Sequence, residues 1–253
     1  MSSPLIAFII FACMLTGMAL GSYLRLVLPD AHTQADSKDI LLTSAGMMAT
    51  LVALIIGLLV TSAKSTFDEA SSSITQGGAK IITLDYYLSH YGPEANGTRE
   101  LLRKAVASGI KRIWPNDRMQ GADLSKMETA TDVADVYNNI REFSPKNESQ
   151  KYFQTQALQL SADMMQSRWM LIEQSQTKLP RIFLVVLTFW LTILFAQFGM
   201  LAPRNRTALT ALFICAISIS CAIFLILELN APLEGAIKVP SAPLHKALAL
   251  IGK

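Results

Sequence analysis

Four long apolar segments constrain this chain more than any other feature of its sequence. They occupy residues 4–28, 40–63, 182–202 and 207–227. Each has the roughly 20 residues that an α-helix needs to cross a hydrocarbon core of about 30 Å. Lipid offers the backbone no hydrogen-bond partner, so a long apolar segment satisfies its own amides by forming a helix. The sequence therefore predicts four transmembrane helices.

The first apolar segment is expected to remain in the protein as a span. A secretory signal peptide carries positive charge before a shorter apolar core. Here the residues before Pro4 contain no Lys or Arg, and the apolar stretch is longer than such a core. Both observations favour a retained helix over a cleaved leader.

The polar residues are concentrated between the second and third segments. Only 16% of the chain is charged, against about 25% in a typical soluble domain, and residues 64–181 are densely charged. Apolar residues recur there at steps of three and four, and prolines at 93, 115 and 145 end the repeats. This spacing predicts amphipathic helices, and no alternating pattern predicts a strand.

The predicted fold class is an all-α membrane protein. Its four transmembrane helices form two hairpins with a helical cytoplasmic domain between them. The predicted divisions are a first transmembrane hairpin at 1–63, the helical domain at 64–181, a second hairpin at 182–230 and a C-terminal tail at 231–253.

The distribution of Lys and Arg predicts the orientation in the membrane. An even number of spans places both termini and the central domain on one side. The membrane-proximal cations on that side are Lys64, Lys80, Arg168, Lys178, Arg181, Lys238 and Lys246. The two short loops on the other side carry only Arg25, Lys38, Arg204 and Arg206. Positive residues favour the cytoplasmic side, so both termini and the central domain are expected in the cytoplasm.

Several function classes have no support in the sequence. The formal net charge of +3 is too small to indicate nucleic-acid binding. No glycine-rich phosphate loop, zinc motif or nucleophile elbow is present. Cys13, Cys215 and Cys221 all lie in apolar segments, where buried packing is expected and not a disulfide framework or a metal site. We therefore expect no enzyme activity, no cofactor and no metal.

The first span carries small residues at regular steps. Cys13, Gly17 and Gly21 are four residues apart. Small residues at this spacing allow two helices to approach closely, so they are expected to form a helix-packing face.

The second span carries small and hydroxylated residues on one stripe. Thr43, Thr50, Gly57 and Lys64 are one heptad apart, and Thr61 falls on the same face. Close packing against a neighbouring helix is one interpretation. The other is a pore lining, in which Lys64 at the cytoplasmic mouth would attract anions and Asp68 would oppose it.

Three acidic residues are candidates for an ion or charge-pair site. Asp68 and Glu69 follow the second span, and Glu228 ends the fourth. A solvated helix face is the alternative for the first two, because charge pairs on helices are common. Glu228 is either solvated or paired with Arg181 or Lys238.

Several stretches of the sequence resemble a known family. Residues 179–205 read LPRIFLVVLTFWLTILFAQFGMLAPRN, residues 224–239 read FLILELNAPLEGAIKV, and residues 241–244 read SAPL. Residues 84–93, at the end of a long predicted helix, read LDYYLSHYGP. Together they resemble the bacterial bestrophin-like domain family, whose name implies likeness to bestrophins, pentameric chloride channels with four spans and a helical cytoplasmic region. The resemblance implies a homo-oligomer, a pentamer by analogy, in the bacterial inner membrane, with ions as its ligands.

Two functions are compatible with these observations. One is an oligomeric ion channel, weakly anion-preferring or poorly selective, with its pore lined by the second span. The other is a non-conducting membrane scaffold that binds a protein partner through its cytoplasmic helices. An oligomer with an open axis would favour the first.

Overall fold

A computed structural model describes residues 2–27, 35–114, 132–176, 181–203 and 205–252. Within these ranges the chain forms helices and turns and no strand, which confirms the predicted all-helical class. The α-helices are α1 (Ser3–Val27), α2 (Ala35–Tyr91), α3 (Asn96–Ile113), α4 (Asp132–Arg141), α5 (Glu148–Gln176), α6 (Arg181–Leu201), α7 (Arg206–Leu229) and α8 (Ala242–Leu250), with a 3₁₀ turn at Pro93–Ala95. Pro115, where the sequence predicts the end of a helix, lies outside the described residues.

Four of these helices are long and apolar enough to cross a membrane. The qualifying segments are Ser3–Val27, Asp39–Tyr91, Ile182–Leu201 and Arg206–Leu229. The residues described therefore contain four candidate membrane-spanning helices, the number predicted from the sequence. The second span is the first part of α2, a continuous helix of 57 residues.

The chain divides into two compact units. The span unit comprises Met1–Ser65 and Lys178–Asn230, and the bundle unit comprises Thr66–Thr177 and Ala231–Lys253. Helix α2 contributes its first part to the span unit and its second part to the bundle unit.

The span unit has an apolar core in which α1 packs against α6 and α7. Met14, Leu191 and Phe195 are almost completely buried in this core. A Cβ atom on Gly17 or Gly21 would collide with the backbone of α6, so only glycine permits the observed approach. On the α7 side, the buried hydroxyl of Ser220 donates a 3.0 Å hydrogen bond to the carbonyl of Ala7.

The bundle unit buries the second part of α2 against α3, α4 and α5. Leu84, Leu88 and Ile140 are among its most deeply buried side chains. Helix α2 ends at Tyr91, and the next residue, Gly92, has a φ of 128° that is readily adopted only by glycine. Proline then follows at position 93, so the helix cannot continue.

Residues after α7 complete the core of the bundle unit. Ala247 and Ile251 are buried beside Leu84 and Leu88. Trp114 Nε1 donates a 3.0 Å hydrogen bond to the carbonyl of Val239. The short helix α8 was not among the elements predicted from the sequence.

The expectation that all three cysteines are buried packing residues is wrong. Cys13 is half-buried, whereas Cys215 and Cys221 are exposed on the surface of α7. A span in lipid presents apolar side chains outward as well as inward, so an apolar stretch does not by itself indicate burial within the protein.

Candidate functional site

The first part of α2 has one face that packs against the rest of the span unit. Val52 is 3% exposed in the core of this unit, and Met48, Ile55 and Leu59 pack against that core. These positions lie about half a turn away from Thr50 around the helix. The opposite face of α2 is therefore the one available to a ligand, lipid or second chain.

All five residues of the predicted stripe lie on this opposite face. All five are exposed to the surface: Thr43, Thr50, Gly57, Thr61 and Lys64. Residues seven apart differ by only about 20° in angular position, so the stripe remains on one side of the helix. Gly57 and Gly46 have open space where a Cβ atom would be, with no atom within 4 Å.

The threonine hydroxyls of the stripe are oriented by their own helix. Thr43 Oγ1 donates to the carbonyl of Asp39 at 2.8 Å, and Thr50 and Thr61 donate to Gly46 and Gly57 at 2.9 Å. Each hydroxyl hydrogen is thereby used within the helix. What the oxygen presents outward is a lone pair, which accepts hydrogen bonds or contacts a cation.

A band of large apolar side chains runs beside the stripe. Met47, Leu51, Leu54 and Leu58 are each more than half exposed. They lie roughly 40–100° from Thr50 around the helix. The band needs an apolar environment, either lipid or another protein surface.

The remaining predicted site residues lie in three places. Gly17 and Gly21 contact α6, and Cys13 is one turn before them on α1. Asp68 and Glu69 are exposed in the bundle unit, whereas Glu228 is 3% exposed in the span unit. Among the residues described, no three His, Cys, Asp or Glu side chains form a group that could hold a metal.

Two polar side chains near the end of α1 were not singled out from the sequence. Arg25 Nη1 donates a hydrogen bond to the carbonyl of Ala202, and Ser22 Oγ donates at 3.2 Å to the carbonyl of Gly199. The available signal was that Arg25 is the only charged residue of the first apolar segment.

The comparison with known families agrees with this architecture. The Bestrophin-like domain matches residues 11–244, which is most of the chain. No curated protein matches the chain, and no solved structure does. The match includes the four spans except the first turns of α1, and it includes α2 with its whole stripe. This all-helical membrane protein belongs to the Bestrophin-like domain family.

Proposed function

We propose that this protein is an oligomeric ion channel whose pore is lined by the first part of α2. The observation that carries the proposal is the stripe itself. It is small or hydroxylated from Thr43 to Thr61, it is exposed, and it lies opposite the face that packs against the span unit. Membership of the Bestrophin-like family supports the same reading.

A ring of identical subunits accounts for both exposed surfaces of α2. The stripe would face the central axis, and the neighbouring band of Met47, Leu51, Leu54 and Leu58 would contact the adjacent subunit. Closed cyclic symmetry is the usual arrangement of a homo-oligomer, and a pentamer follows by analogy with bestrophins. Large apolar side chains would then be covered, and small ones would leave space for ions.

The expected selectivity is weak because two features of the lining oppose each other. Lys64 places one positive charge per subunit at the end of the stripe, which attracts anions. The threonines present acceptor oxygens, which favour cations. We therefore expect a poorly selective or weakly anion-preferring conductance, with the bundle unit and both termini in the cytoplasm of a bacterium.

Two substitutions in planar bilayers test this proposal. Gly57→Leu is expected to reduce current by at least about tenfold, because four carbons per subunit would enter the axis. The matched control is Gly77→Leu, a glycine of the same helix that also has open space at its Cβ position. Gly77 is about 200° from Gly57 around the helix and belongs to the bundle unit. Lys64→Glu is expected to shift the reversal potential toward cation preference. Lys111→Glu, at an exposed position of α3, is the control and is expected to leave the reversal potential unchanged.

The number of subunits in the purified protein is an independent test of the proposed ring. Native mass spectrometry is expected to show a closed oligomer. A strictly monomeric protein would exclude the channel. A steady current that neither Gly57→Leu nor Lys64→Glu alters would exclude α2 as the lining of the pore.

A non-conducting scaffold is the second candidate, favoured by an aromatic surface on the bundle unit. Tyr86 and Tyr152 are each more than half exposed. The ring centroids of Tyr86 and His90 are 4.1 Å apart. Exposed aromatic residues are enriched at protein interfaces. The scaffold requires no current, so a silent oligomer whose partner binding is lost in Tyr86→Ser would favour it.

A further inference from the structure

The span unit contains a pocket that the channel proposal does not use. It lies where α1 and α6 end and α7 begins, and it has a volume of about 270 Å³. These are the ends of three spans, so the pocket lies at a boundary of the membrane. Its cationic residues are Arg25 and Arg206, and none of the residues that line it carries a carboxylate.

The two arginines are held differently. Arg25 is half-buried, and one of its guanidinium nitrogens donates to the carbonyl of Ala202. A guanidinium has five N–H donors, so this bond fixes the group and leaves others for a ligand. Arg206 is exposed at the first residue of α7, where the helix end adds positive partial charge.

The rest of the pocket is apolar. Leu209 and Leu212 continue its wall one and two turns along α7, and Met18 faces it from α1. The pocket thus combines positive charge at a helix end with an apolar wall that continues into the span. A phospholipid, in which glycerol joins a phosphate to acyl chains, has this same distribution of charge and apolar surface.

We propose that this pocket binds an anionic phospholipid of the bilayer. Its phosphate would accept charge-assisted hydrogen bonds from Arg25 and Arg206, which suit phosphate because the guanidinium fork is planar. An acyl chain would lie along Met18, Leu209 and Leu212. This inference requires only that α1, α6 and α7 span the membrane, so it does not depend on conduction.

A titration of the purified protein, followed by native mass spectrometry, tests the proposal. Phosphatidylglycerol is expected to bind at least about tenfold more tightly than phosphatidylcholine with the same acyl chains, since only the first is anionic. Inorganic phosphate is expected to bind far more weakly than either lipid, because it has no apolar part. Inorganic phosphate that binds as tightly as phosphatidylglycerol would overturn the assignment to a lipid.

Two variants identify the pocket. Arg206→Gln is expected to lower phosphatidylglycerol affinity about tenfold, the effect of losing one charge-assisted contact. It leaves the hydrogen bond from Arg25 to Ala202 intact. Leu212→Trp is expected to weaken the binding of both lipids, because the larger side chain fills the apolar part of the pocket. Arg103→Gln, which removes an exposed charge from the bundle unit, is the control. It is expected to change the affinity for neither lipid.

The result that would overturn the proposal is equal affinity for the two lipids in the native protein. Unchanged phosphatidylglycerol affinity in Arg206→Gln and in Arg25→Gln would overturn it as well. An arginine that only anchors a helix end in interfacial water would produce that outcome.

Discussion

At the scale of single residues, the bundle unit depends on one ion pair beneath its surface. Arg99 donates through Nε and Nη2 to the two carboxylate oxygens of Asp85, at 2.8 and 2.9 Å. The two side chains are only 17% and 11% exposed. This hydrogen bond raises the pKa of Arg99 above its ordinary value, so the guanidinium is firmly charged.

Removing one partner of this pair is expected to destabilise the bundle unit. Asp85→Asn leaves a largely buried guanidinium without its counter-charge, which costs about 3–5 kcal/mol in comparable cases. Thermal unfolding of the detergent-solubilised protein, followed by circular dichroism, measures the effect. The outcome that would contradict it is an unfolding temperature equal to that of the native protein.

Glu94→Gln is the matched control, because Glu94 and Lys146 form an ion pair in solvent. Their hydrogen bond lowers the pKa of Glu94 below its ordinary value of 4.5. The stabilisation from this pair is therefore present above that value and is lost as pH falls through the lowered pKa. At pH 7 the control is expected to cost much less than Asp85→Asn.

At the scale of elements, the contact of α1 with α6 depends on the absence of side chains. Gly21 meets the backbone of Ala196, and Gly199 of α6 meets the backbone of Met18. These are backbone atoms of packed helices, which cannot rotate away as the end of a side chain can. The two helices must separate if either glycine acquires a Cβ atom.

Gly21→Leu is accordingly expected to disrupt the span unit. Overpacking of this kind costs about 1–3 kcal/mol or more, and here the obstacle is backbone. Gly46→Leu on α2 is the control, since no atom lies within 4 Å of its Cβ position. Size-exclusion chromatography in detergent is expected to show aggregation of the first variant only. Identical elution of both would mean that the glycine contact is dispensable.

Much of this architecture was predictable from the sequence, and the features that were not predictable have identifiable physical reasons. The helices follow from the length of the apolar segments and from the three- and four-residue steps of residues such as Leu84 and Leu88. The partner of Asp85 was not predictable, because Arg99 lies on another helix beyond a glycine-initiated turn. In the spans, lipid-facing and core-facing positions are both apolar, so neither the exposure of Cys215 nor the burial of Val52 could be read from composition.

At the scale of the whole molecule, the even number of candidate spans determines which parts of the protein face each side of the membrane. Four spans return the chain to the side on which it started, which we infer from the Lys and Arg distribution to be the cytoplasm. The bundle unit would then meet cytoplasmic partners. The Arg25 and Arg206 ends of the spans would meet the outer leaflet.

Cysteine labelling of intact cells checks this orientation. Thr207→Cys, at the start of α7, is expected to react with a membrane-impermeant thiol reagent added outside. Arg103→Cys, on α3, is expected to react only after the membrane is permeabilised. Both positions are exposed, so access is set by the compartment. The reverse pattern would invert the topology, and the native protein with its three cysteines gives the background.

The packing of Ala247 and Ile251 into the bundle unit sets an order of events during synthesis. Residues 66–176 leave the ribosome early, but two of the side chains that close their core are translated after α6 and α7. Until then, Leu84 and Leu88 have an incomplete apolar environment. The core of the bundle unit is therefore expected to stay incomplete until α6 and α7 have been synthesised. A premature stop codon before Ala242 would remove Ala247 and Ile251, so the truncated bundle unit is expected to keep an incomplete core and to be cleaved more readily by proteases.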